Sequence, residues 1–132
     1  MEEGAEVNMN LLKYAKYTTM GMLLLVLGQS MTGVGGATPT GLSLTDSHKY
    51  GAMLGLGLSV VAVGLIMASK TEDKGLRGKG FEAFSLWALM YGLGDMSVRM
   101  NHKISMIHAA VGLLMFARLM MMVKAFPSEE SE

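Results

Sequence analysis

Long uncharged segments dominate the pattern of apolar and polar positions along the chain. Residues 18–37 and 50–69 contain no Asp, Glu, Lys or Arg, and each segment is 20 residues long. At 1.5 Å per residue, a helix of this length reaches about 30 Å, which is the thickness of the hydrocarbon layer of a bilayer. Both segments therefore predict membrane-spanning helices.

Two further apolar segments follow, each interrupted by a charge. Residues 83–94 are uncharged before Asp95, and residues 104–117 are uncharged before Arg118, with apolar side chains continuing past each end. We expect one domain over residues 1–132, an all-α membrane protein with four transmembrane helices arranged as two antiparallel hairpins. The predicted spans are approximately residues 15–36, 48–69, 80–99 and 102–125.

Breaks between these spans are marked by glycine, proline and polar residues. The first predicted connection covers residues 33–40, and the second covers residues 70–80 (KTEDKGLRGKG). Glycine and proline are unfavourable inside helices, so we expect both segments to lie outside helices. Residues 99–103 form a third, tight polar turn.

Composition supports the membrane class and excludes others. The chain is 51% hydrophobic and only 17% charged, whereas soluble domains carry roughly 25% charged residues. Eleven basic and eleven acidic residues leave no net charge, so binding to nucleic acid is disfavoured. The absence of cysteine from the sequence excludes disulfides, thiolate metal sites and a cysteine nucleophile.

Basic residues are distributed unequally between the two sides of the predicted bundle. The two connections on one side would carry only three basic residues, Lys49, Arg99 and Lys103. The other side carries eight basic residues: Lys13, Lys16, Lys70, Lys74, Arg77, Lys79, Arg118 and Lys124. The positive-inside rule then places both termini on the cytoplasmic, matrix or stromal side. We expect the mitochondrial inner membrane or the thylakoid membrane.

Short sequence elements recur in the two halves. Residues 47–49 (SHK) open the second predicted span, residues 101–103 (NHK) open the fourth, and Lys70 and Lys124 follow the two His-Lys pairs at equal spacing. The pattern fits either an internal duplication of a helical hairpin, offset by 54 residues, or chance recurrence.

Small residues in the second predicted span indicate close helix packing. They form two small-xxx-small pairs, Gly51 with Gly55 and Gly64 with Ala68. Helices in lipid associate where small side chains let their backbones approach. We expect this face to pack within the chain or to dock another subunit.

Ionisable residues inside the predicted spans are candidate functional groups because burying them is costly. Matching depths on facing helices predicts a hydrogen bond between Asp95 and His108, with Arg99 one turn from Asp95. Arg118 is predicted to reach towards Glu82 at the start of the third span. These five residues form a predicted intramembrane polar network.

His108 is also the candidate axial ligand for the metal of a haem or chlorophyll. His48 and His102, at the starts of spans, are interpreted as solvated interface residues. Thioether and imidazole ligands suit Cu(I), but methionine is spread along the chain as an apolar filler, so we predict no metal site. Structural lipids are the other expected bound molecules.

The sequence contains no catalytic constellation, and we expect a protein that is not an enzyme. The leading hypothesis is a small accessory subunit of a larger complex in a respiratory or photosynthetic membrane, with lipids and other transmembrane subunits as its partners. The alternative is a small four-helix transporter or channel acting as an oligomer. Pigment or haem binding through His108 is a third class.

The charge distribution predicts that Gly75 and Ser128 lie on the same side of the membrane. Single cysteines introduced at these positions should be labelled together by an impermeant thiol reagent, applied to vesicles of one orientation. Labelling of only one of the two positions would contradict the four-span topology.

Overall fold

A computed structural model describes residues 2–35, 44–99 and 102–128. The regular elements in these ranges are all α-helices: α1 (Glu2–Gly35), α2 (Leu44–Ala68), α3 (Lys74–Arg99) and α4 (His102–Ala125). The predicted all-α class and the number of helices are therefore confirmed for the described residues. Most of the first predicted connection, at residues 36–40, lies outside the described residues, as do Met100 and Asn101 in the third.

The four helices pack in a ring in chain order. Each helix contacts the next one along the chain, and α1 also contacts α4. The backbones of the two diagonal pairs, α1 with α3 and α2 with α4, stay apart over the described ranges. The end of α1 meets the beginning of α2, where Gly33 lies against His48, and the beginning of α3 meets the end of α2, where Gly80 lies against Ile66.

Buried positions recur in each helix at alternating spacings of four and three residues. This is the 3.5-residue repeat with which packed helices keep one seam facing their neighbours. The same repeat in all four helices defines one interior stripe per helix. The stripes are Ala15, Thr19, Met22 and Val26; Gly55, Ser59, Ala62 and Ile66; Leu76, Gly80, Ala83 and Trp87; and Met115, Leu119, Met122 and Phe126.

Side-chain sizes differ between the stripes. α4 contributes four large side chains, whereas α2 contributes mostly small ones. Trp87 is 2% exposed, and its indole ring lies so close to Gly55 that a Cβ there would be 2.2 Å from the ring. The absence of a side chain at Gly55 thus makes room for the largest residue of the core.

The connection between α2 and α3 is shorter than the sequence predicts. Lys70 has a positive φ of 53°, a conformation that ends helices. Asp73 accepts a hydrogen bond through Oδ1 from the amide of Leu76 at 2.9 Å, which makes it the N-cap of α3. The prediction that residues 74–80 lie outside a helix was therefore wrong, because a good cap outweighs the weak helix propensity of the glycines at 75, 78 and 80.

Two segments are long and apolar enough to cross a membrane, Asp46–Ala68 in α2 and Lys103–Ala125 in α4. Only 22% and 17% of their most apolar windows are buried inside the protein. Their apolar side chains therefore face mostly outward. α1 starts well before the first predicted span and α3 starts before the third, so both helices combine apolar and charged segments.

Gly55 and Gly57 on α2 offer a matched pair of substitutions. Gly55→Ala should destabilise the protein by about 1–3 kcal/mol because the Trp87 ring has to move. Gly57 is exposed, with no atom near its Cβ direction, so Gly57→Ala should be neutral or stabilise by up to about 1 kcal/mol through helix propensity. Thermal unfolding in detergent measures both, and equal effects would contradict the packing described for Trp87.

Candidate functional site

His48 and His108 meet in the interior of the bundle. They come from the diagonal helices α2 and α4, and their ring centroids are 6.0 Å apart with an interplanar angle of 64°. Each lies seven residues before a buried stripe position, Gly55 in α2 and Met115 in α4. The heptad repeat therefore directs both imidazoles inward, and we call these two residues the histidine pair.

Two glycines on the other diagonal provide the space for these rings. A Cβ at Gly33 would lie 3.1 Å from Cε1 of His48, and a Cβ at Gly94 would lie 3.3 Å from Cε1 of His108. Gly33 and Gly94 follow Val26 and Trp87 on their stripes by seven residues. This level of the bundle thus consists of two imidazoles and two glycines.

The hydrogen bonds of His48 define its tautomer. Its Nδ1 lies 3.1 Å from the carbonyl oxygen of Gln29 and 3.3 Å from Oγ1 of Thr32. Because a carbonyl oxygen can only accept, Nδ1 of His48 carries the hydrogen and donates it. The lone pair of the neutral ring is then on Nε2.

His108 is placed in an equivalent way against α3. Its ring interacts with the backbone of Met90, which precedes Gly94 by four residues just as Gln29 precedes Gly33. Nδ1 of His108 is buried and makes no hydrogen bond of ordinary geometry to the described residues. Each histidine of the pair thus meets a backbone group of the preceding helix.

The side chain of Gln29 packs against α2 and that of Met90 packs against α4, the two helices that carry the histidines. The amide of Gln29 covers Gly51, where a Cβ would overlap it, and Cε of Met90 would lie 3.2 Å from a Cβ at Gly112. Both glycines are about one turn beyond the histidine of their own helix. One amide and one thioether therefore pack about one turn along α2 and α4 from the histidine pair.

Asp95 was predicted to face His108, and the structure places its neighbour there instead. Gly94 lies against the His108 ring, and the Asp95 side chain is exposed. The sequence predicts the depth along the helix that faces His108. Asp95 is one residue beyond Gly94, however, and therefore points about 100° away from it around the helix axis. The side chain of Arg99 lies outside the described part of the structure.

Glu82 and Arg118 lie together on α3 and α4. Nη2 of Arg118 donates to Oε2 of Glu82 at 2.9 Å, and Nε of Arg118 contacts Oε1 of the same carboxylate. This pairing has the bidentate geometry that suits guanidinium and carboxylate groups. It is about 15 Å along α4 from His108, so Glu82 and Arg118 do not contact that imidazole.

The four small residues predicted to form one face of α2 do not share a face. Gly51 and Gly55 contact Gln29 and Trp87, whereas Gly64 and Ala68 are exposed. Nine residues separate Gly55 from Gly64, which is about half a turn after two full turns of an α-helix. The interior pair packs within the chain, and the exposed pair is available to a partner.

The structure also pairs the residues of the two halves differently from the sequence pattern. His48 matches His108, which is 60 residues later, and Gly33 matches Gly94, which is 61 residues later. The sequence pattern instead matches His48 with His102, which is 54 residues later. The side chain of His102 lies outside the described part of the structure. His48 is therefore an interior residue, although it was interpreted as solvated. Heptad counting from Gly55 would have shown this.

Exchanging the charges of Glu82 and Arg118 tests their contact. Glu82→Arg places two guanidinium groups together and Arg118→Glu places two carboxylates together. Because like charges repel and the pair is partly exposed, each variant should unfold at a modestly lower temperature. The double variant restores an opposite pair and should recover most of the loss. Additive losses in the double variant would show that the pair does not hold α3 against α4.

The chain matches no protein-family model, no curated protein and no solved structure. Within the chain, the α1–α2 half and the α3–α4 half resemble each other. Both halves place a histidine from one helix against a glycine of the preceding helix, next to a backbone group four residues before that glycine. The histidine pair is therefore the candidate functional site.

Proposed function

We propose that this chain is an integral membrane protein that acts as a small accessory subunit of a larger membrane assembly. The observation that carries the proposal is the outward exposure of the two most apolar helices. Less than a quarter of the most apolar window of each is buried within the chain. Water would not tolerate that much continuous apolar surface, whereas lipid and other transmembrane helices would.

In this proposal all four helices cross the membrane as two antiparallel hairpins, with both termini on the positive side. Hydroxyl groups on the less apolar helices are already bonded to their own backbone. Thr18 donates to the carbonyl of Tyr14, Ser30 to that of Val26 and Ser85 to that of Phe81. Such i−4 bonds satisfy polar side chains inside a bilayer.

An accessory role fits the way the chain distributes its polar contacts. The histidine pair and the contact between Trp87 and Gly55 lie in the interior, where they join helices of the same chain. Outward positions carry apolar side chains such as Leu24, Leu113 and Met106, which are 69%, 75% and 75% exposed. We propose lipids and transmembrane subunits of a respiratory or photosynthetic complex as the partners of this surface.

Migration of the protein after mild detergent extraction tests this proposal. An epitope-tagged chain should migrate with a large complex in native electrophoresis. Gly64→Leu should release part of it, since a branched side chain blocks close approach at the exposed small residues of α2. Val61→Leu, which enlarges a side chain that is already 50% exposed, is the matched control. Migration of the unaltered protein as a free monomer or dimer, with ion flux in liposomes, would instead support the transporter.

A further inference from the structure

We propose that the histidine pair binds a single Cu(I) ion, with the thioether of Met90 as the third ligand. This inference goes beyond the accessory role and concerns the interior of the chain alone. It rests on the distance between the imidazoles, the donor atoms around them and the hydrogen bonds that orient them.

The separation of the rings suits one metal ion between them. Nitrogen ligands bind transition metals at about 2.0–2.1 Å, so two imidazoles on one ion at a wide angle have their centroids about 6 Å apart. The centroids of His48 and His108 are already 6.0 Å apart.

The hydrogen bonds of His48 resemble those of metal-binding histidines. Such histidines donate the hydrogen of one ring nitrogen to a carbonyl or carboxylate and bind the metal through the other. Nδ1 of His48 donates to the Gln29 carbonyl, which leaves Nε2 for the metal. On the opposite side, the ring of His108 meets the backbone of Met90, so each imidazole of the pair contacts a backbone group of the preceding helix.

The charge and donor types of the site favour Cu(I) over Zn²⁺. Zinc sites use four ligands, and the described residues contain no group of three or more His, Asp or Glu side chains placed to hold a metal. Two neutral imidazoles and a thioether are soft, uncharged donors that suit Cu(I). A monovalent ion also adds less buried charge to the bundle than a divalent one.

Met90 is placed to supply the thioether. Its backbone interacts with the His108 ring, and its side chain is half-buried and extends against α4 near Gly112, one turn beyond His108. In the other half the equivalent position is Gln29, whose amide is a harder donor. The soft ligand therefore comes from the α3–α4 half.

Anaerobic titration of the purified full-length protein in detergent tests the site. Cu(I) is added in the presence of a chromophoric Cu(I) chelator, and we expect the protein to retain one ion per chain. His48→Ala and His108→Ala should each lower the affinity at least about 100-fold, and Met90→Leu should lower it about tenfold. His102→Ala and Met106→Leu are matched controls and should retain the affinity of the unaltered protein.

X-ray absorption of the unaltered Cu(I)-loaded protein tests the ligands without relying on any variant. We expect two nitrogen ligands and one sulfur ligand. Failure to retain Cu(I) against the chelator, equal retention by the histidine variants and the unaltered protein, or preferential binding of Zn²⁺ or haem would overturn the proposal. Because the isolated chain is used, these outcomes are independent of whether the protein migrates with a larger complex.

Discussion

Close approach of helix backbones at small residues is the constraint on which the rest of this structure depends. For the membrane placement that we propose, the hydrophobic effect does not drive the helices together, so complementary shape has to do so. Gly55 admits Trp87, Gly51 admits Gln29, and Gly80 lies against Ile66. These contacts hold α2 between α1 and α3, and they set the register that brings one histidine from α2 and one from α4 to the same level.

Polar groups are handled by local pairing at separate levels of the bundle. Near one end Arg118 and Glu82 neutralise each other on neighbouring helices. Near the other end the imidazoles share the interior with glycines and backbone groups. The two clusters lie about 15 Å apart along α4, so they make no direct contact with each other. Each cluster therefore joins helices without requiring the other.

The sequence was sufficient to predict the four helices because long uncharged segments and glycine-rich breaks are strong patterns. The beginning of α3 was missed since the cap at Asp73 outweighs three glycines that follow it. For the site, the sequence predicts how far along its helix each residue lies but not the direction in which its side chain points. The sequence points to Asp95 opposite His108, whereas Gly94 lies there, and it predicts a solvated His48, whereas that ring is half-buried. The direction in which a side chain points follows from the buried heptad stripe of its helix. That stripe is known only once the buried positions of all four helices are known.

The different side-chain sizes on the stripes have a consequence for how copies of this chain recognise each other. In the ring Gly55 faces Trp87, and α1, which carries Val26, packs on α4, which carries Met115. If two α1–α2 halves from different copies paired, Gly55 would face Val26 and leave a void. If two α3–α4 halves paired, Trp87 and Met115 would compete for one space. Both mismatches cost stability, so pairing of two like halves from different copies is disfavoured.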